Sequence, residues 1–136
     1  MSINQKYKVY IREYADRHYI KVFSKKYWRH WDVTLEAILA SLEHVNTFLC
    51  TSKAEKIISC HEEDKHLLKC EFRVVWSTDS AHASGNRYIV FLDEASHECH
   101  ILLVYSKWDY SGQETTWWKQ QIKENYTDMR ELFSSL

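Results

Sequence analysis

The sequence predicts an α+β fold: a small antiparallel or mixed sheet with an N-terminal strand, two N-terminal helices, a three-stranded meander and a C-terminal helix. Three observations point to it. Apolar residues recur every three to four positions through the first third of the chain, the period drops to two at Leu67, and the helical period returns at Trp117. With 136 residues, 45% hydrophobic and 27% charged, the chain suits a single domain over residues 1–136 with one buried core.

Taken in order, Tyr7 to Tyr14 alternates Tyr, Val and Ile with Lys and Arg and reads as the first strand. Tyr19 or Ile20, Phe23, Tyr27 and Trp31 then recur at helical spacing, with Lys21, Lys25 and Arg29 four apart on the other side. Over residues 33–49, Leu35, Ile38, Leu39, Leu42, Val45 and Leu49 form one apolar helical face, with Asp32 as the N-cap. Residues 51–66 are polar and read as a connection, with a helical turn or short strand near Ile57 and Ile58. From Leu67 to Trp76 the residues alternate: Leu68, Cys70, Phe72, Val74 and Trp76 on one face, Lys69, Glu71 and Arg73 on the other. Ser84, Gly85 and Asn86 end a polar loop and signal a hairpin into Arg87–Asp93, and a second hairpin leads to Cys99–Lys107. Ser111 and Glu114 match a capping box opening the last helix, whose apolar side runs through Ile122, Tyr126, Met129 and Phe133. The order suggests a sheet with helices on one face.

No stretch reaches the roughly 18 apolar residues of a membrane span, and Met1 to Lys8 lacks a signal-peptide core, so a cytoplasmic protein without membrane contact is expected. The four cysteines, Cys50, Cys60, Cys70 and Cys99, fit reduced thiols rather than a disulfide framework. Net charge is −1, but eight Lys or Arg stand against Glu13 and Asp16 in the first thirty residues. That asymmetry marks either a polyanion-facing surface around Lys21, Lys25 and Arg29 or a solvated helix face paired with the acidic remainder.

Lys69, Glu71 and Arg73 point the same way at about 7 Å intervals in an extended strand. Antiparallel pairing brings Arg87, Tyr105 and Lys107 toward them. Arg clamps phosphate, Glu or Lys takes a proton, and Tyr or His returns one. This set fits metal-independent attack of an RNA 2′-hydroxyl on its adjacent phosphate and needs no cofactor; the same alternation also describes the wet face of an antiparallel sheet.

The runs Leu68–Val74, Ser84–Glu94 and Ile101–Lys107, followed by a C-terminal helix, resemble the RelE/ParE toxin superfamily, nearest its HigB-like branch. The resemblance is good over roughly residues 65–125 and extends to the N-terminal third in element order only. It implies a RelE-like fold and the toxin of a type II toxin–antitoxin pair: a ribosome-dependent mRNA endoribonuclease that inhibits translation, with the ribosome, mRNA and a cognate antitoxin as partners. Arg73 and Arg87 would hold the scissile phosphate, Lys69 or Glu71 would activate the 2′-hydroxyl, and Tyr105, Lys107 or Tyr110 would support the leaving 5′-oxygen. Lys21, Lys25, Arg29 and His82 join Tyr110 as expected RNA contacts. The segment Ser77–Asn86 carries Asp79 and His82 but no Lys or Arg, where active members of that branch carry a basic, Gly-rich loop. Gyrase-directed relatives share the fold, so a gyrase-directed toxin or a non-catalytic protein-binding module are the alternatives.

A zinc site would draw on His97, Cys99 and His100 with Cys60, His61 and His66, but no CxxC pair or HExxH helix is present. Of Trp117 and Trp118, one indole is expected in the core; the other is open to base stacking or a protein contact.

Overall fold

The computed structural model describes residues 5–109 and 112–136. Strand β1 (Lys8–Ile11) leads into a helical run made of α1 (Glu13–Ala15), a π-helical turn (Asp16–Ile20) and α2 (Lys21–Tyr27). Helices α3 (Arg29–Glu43) and α4 (Val45–Phe48) follow. Next come strands β2 (Ala54–Cys60) and β3 (Lys65–Glu71), the short helix α5 (Ala81–Ser84), and strands β4 (Asn86–Asp93) and β5 (Glu98–Ser106). A 3₁₀ turn (Lys107–Asp109) precedes α6 (Glu114–Asn125) and α7 (Thr127–Leu132). No described helix is long and apolar enough to cross a membrane.

The five strands form one mixed sheet in the order β1-β5-β4-β3-β2, with β1 parallel to β5 and the other pairs antiparallel. The α+β class therefore stands, and the meander gains a strand. The segment read as a polar connection contains β2, hidden because its register slips at Ile57: Lys56 pairs with Leu68 and Ile58 with Leu67. The slip turns both isoleucines to one face and destroys the two-residue alternation that marks a strand.

Helices cover both faces of the sheet, not one. On the first face, Leu68, Cys70, Tyr88, Val90, Leu92, Cys99 and Ile101 pack against Ile20, Phe23, Trp31, Ile38 and Leu42 of the N-terminal helices. On the second, Leu67, Ile89, Phe91, Leu102 and Leu103 pack against Trp118, Ile122, Met129 and Phe133. Every residue of β4 is buried, as a central strand between two helical layers requires. Burial pushes the Cys99 thiol up to about 12 and the Cys70 thiol higher still, so both act as small core residues.

The helix boundaries also shift. Trp28 adopts φ 54° and ψ −128°, which ends α2 and begins α3. Tyr27 and Trp31 still flank Phe23, at ring separations of 5.8 and 5.1 Å, so the apolar spacing survives a broken backbone. Arg29 consequently starts a new helix and does not continue the stripe of Lys21 and Lys25. Asp32 lies inside the first turn of α3 rather than at its cap, where it faces the positive end of the helix dipole. Strand β3 stops at Glu71, five residues short of Trp76, and Trp76 is exposed rather than sharing the buried face of Leu68 and Cys70.

Candidate functional site

A cleft of about 430 Å³ opens where the second face of the sheet emerges from under α6. Its floor is built by cross-strand pairing: Glu55 faces Lys69, Glu71 faces Arg87, and Arg87 faces Tyr105. Period-two geometry places Lys69 and Glu71 on the same side as Leu67, so the polar floor continues the apolar face covered by Trp118.

A bulge at Leu102 completes the site. Ile89 pairs with Leu103 but Val90 pairs with Ile101, leaving Leu102 unopposed. Before the bulge, Cys99 and Ile101 face the N-terminal helices; after it, Leu103 and Tyr105 face α6. Strict alternation would put Tyr105 on the same face as Ile101, away from Lys69 and Glu71.

Two carboxylates organise the cleft. Glu71 Oε2 lies 3.0 Å from Arg87 Nη2 and 2.7 Å from His82 Nδ1. Glu114 Oε2 accepts a hydrogen bond from the Tyr105 hydroxyl at 2.6 Å and lies 3.2 Å from Lys69 Nζ. Burial works to raise the Glu114 carboxyl, but hydrogen bonds from Tyr105 and Lys69 and the charges of Lys69 and Arg87 outweigh it and hold it below the ordinary carboxylate range. A depressed folded-state pKa stabilises the fold above the unfolded carboxyl pKa and loses that contribution as pH falls through the folded value. Glu114→Gln should therefore melt below wild type at about pH 7, with the gap closing below about pH 4. A gap that persists in acid, measured by thermal unfolding, would rule this out.

Arg87 is only 2% exposed and serves as a brace. Nη1 donates to the carbonyls of Ala81 and Asn86 at 3.3 and 3.0 Å, and Nη2 to that of His82 at 3.1 Å. The guanidinium thus ties α5 to β4 and aims the His82 imidazole, itself 80% exposed, at Glu71. Ser80 caps α5 by accepting from the Ala83 N–H, and Gly85 ends it at φ 76°. A Cβ on Gly85 would collide with the Trp108 indole, which donates to the Ser84 carbonyl at 3.1 Å. The Lys107 N–H donates to the Gly85 carbonyl at 2.8 Å, which brings Lys107 to the cleft rim. The segment read as a polar loop therefore contains one braced helical turn, Ala81–Ser84, which carries His82.

Of the sequence-derived site residues, the structure gathers Lys69, Glu71, His82, Arg87 and Lys107 around the cleft, with Tyr105 reaching it through Glu114. Arg73 is not among them. The strand has ended by then, and its guanidinium donates to the Ser77 carbonyl at 3.2 Å beside a different groove. Lys21, Lys25 and Arg29 are exposed on the N-terminal helical layer and line no part of the cleft. Tyr110 and Ser111 lie outside the described residues. The N-cap of α6 is Gln113, and Glu114 points into the cleft instead of closing a capping box.

Sequence reading missed Lys53, Glu55 and Glu114. Lys53 and Glu55 fall in the segment whose strand the bulge conceals, and Glu114 carries a helix-capping signature whose spacing says nothing of a partner 45 positions away. Trp118 is the core indole, at 2% exposure; Trp117 packs between Tyr105 and Tyr19, with ring separations of 5.1 and 6.3 Å. Among the described residues, no three His, Cys, Asp or Glu side chains are grouped to hold a metal ion. His66 instead bonds to Ser59 at 2.7 Å and Asp64 at 3.2 Å.

The fold and cleft define an α+β protein with a helix-covered mixed sheet and a compact acid–base and cation cluster at one end of it. Comparison with known proteins finds no matching family model, no matching curated protein and no matching solved structure.

Proposed function

We propose that the chain is an RNA endonuclease that cleaves by metal-independent 2′-hydroxyl attack, acting as the ribosome-dependent toxin of a type II toxin–antitoxin pair. The observation that carries this reading is the contact of one carboxylate, Glu71, with both a buried guanidinium and an exposed imidazole, at 3.0 and 2.7 Å. Glu71 takes the 2′-hydroxyl proton as the 2′-oxygen bonds to phosphorus. Protonated His82 keeps Nδ1–H on the carboxylate and delivers the Nε2 proton to the 5′-oxygen as the P–O5′ bond breaks. The products are a 2′,3′-cyclic phosphate and a 5′-hydroxyl. Lys69 and Lys107 supply charge for the phosphate, and Tyr105 fixes Glu114 against Lys69.

The resemblance to the RelE/ParE superfamily supplies the ribosome, mRNA and a cognate antitoxin as partners in this reading. Four cations line the cleft against three carboxylates, an excess of one positive charge before the His82 imidazolium is counted. Such a site engages one or two phosphates rather than a long backbone track, and reliance on the ribosome to deliver mRNA accords with it. The paired state of Arg87 and Lys69 also favours a second reading, a non-catalytic protein-binding module on the same fold.

Mapping 5′ ends of cellular mRNA within minutes of induction separates the two. The expected result is a set of new 5′-hydroxyl ends in register with reading frames, lost in His82→Ala, whose exposed side chain leaves the core intact. Unchanged mRNA with normal growth would exclude the nuclease and leave the binding module.

A further inference from the structure

We propose that the groove between α3 and the turn at residues 73–77 seats the unpaired base of the nucleotide next to the phosphate in the cleft, with the Trp76 indole as its stacking surface. This rests on the reading of the cleft as an RNA site. The groove, about 380 Å³, lies over Phe72 and Tyr88, with Trp76 and Arg73 among its lining residues. It adjoins the cleft: Thr51, Lys53 and Glu71 line both, near the end of β3 at Glu71.

Trp76 is 79% exposed, yet its backbone sits at φ 75°. It occupies the third position of a turn closed by the Ser77 N–H to the Val74 carbonyl at 2.9 Å, where positive φ favours Gly. The fold thus holds its most exposed indole in a disfavoured conformation without the compensation of burial, a pattern that points to use at the surface. The turn is fixed in place. The Val75 N–H donates to Thr34 Oγ1 at 2.8 Å, Thr34 is 2% exposed, and Arg73 holds the Ser77 carbonyl. The His30 ring lies 6.3 Å from the indole.

Arg73 and Lys53 give the path an anionic preference, and an aromatic plate beside cations fits a stacked base with its phosphate better than an apolar peptide. An unpaired base is required, because a paired base presents only its edges to the indole.

The test is fluorescence anisotropy with a labelled, 2′-O-methylated hexaribonucleotide, which cannot be cleaved by 2′-attack. Trp76→Ala should weaken binding about 5- to 150-fold, the range for loss of one stacked base, and Trp76→Phe should restore most of it. A probe series with single abasic positions should contain one against which Trp76→Ala has no further effect. Lys69→Ala reports the cleft separately. If Lys69→Ala weakens binding and Trp76→Ala does not, the base seat is overturned and the cleft reading stands. If Trp76→Ala weakens binding and Lys69→Ala does not, the stacking surface stands and its link to a cleft phosphate is overturned. Equal loss on every abasic probe, or no binding to wild type, overturns the base seat.

Discussion

Arg87→Ala is expected to lower the free energy of unfolding by about 3–5 kcal/mol, the cost of breaking a buried, hydrogen-bonded ion pair from one side. The side chain is 3% exposed and its guanidinium meets three main-chain carbonyls as well as the Glu71 carboxylate. Truncation leaves the Glu71 carboxylate without its guanidinium, leaves a void, and loosens the tie between α5 and β4, which then rests on the Asn86 N–H donating to Ser84 Oγ. Against a total stability of about 5–15 kcal/mol this is a folding defect, and loss of activity in this variant would say little about phosphate binding. Arg87→Lys should recover only part of the loss, because a single ammonium cannot span carbonyls and carboxylate in the fixed fork of a guanidinium. Urea unfolding with an unchanged m value measures it. A loss below about 1 kcal/mol would show that the brace contributes no more than an exposed ion pair.

On the proposed nuclease reading, Glu71→Gln is expected to reduce cleavage about 10²- to 10⁴-fold, the usual contribution of a general base. The amide keeps the shape and retains an oxygen for the Arg87 donor, so the geometry of α5 survives while the proton acceptor is lost. Lys69 is the competing base, but its side chain is committed to the Glu114 carboxylate at 3.2 Å, whereas Glu71 sits directly beside the His82 imidazole. Lys69→Gln should therefore raise KM more than it lowers kcat, and Glu71→Gln the reverse. Circular dichroism on both variants controls for folding. Wild-type cleavage by Glu71→Gln would remove Glu71 from the mechanism and return the base role to Lys69.

The sequence determined a good deal by periodicity alone. The class, the β3–β4 and β4–β5 hairpins, the approach of Arg87 to the strand of Lys69 and Glu71 and the apolar sides of the helices were legible because side-chain direction repeats every two residues in a strand and every 3.6 in a helix. Where one residue breaks that repeat, legibility ends. The bulge at Ile57 hid β2 and with it Lys53 and Glu55; the bulge at Leu102 turned Tyr105 to the side of the sheet that carries the cleft; the end of β3 at Glu71 sent Arg73 to another groove. Both-face burial was only partly visible, in the unbroken apolar runs of β4 and β5, which do not say which helices supply the cover. Only the tertiary structure decided that Glu114 meets Lys69, that Arg87 braces the helix bearing His82, and that the basic stripe of α2 lies outside the cleft. Local pattern reports which way a side chain points along its own element; convergence depends on register, bulges and layer order, which long-range packing fixes.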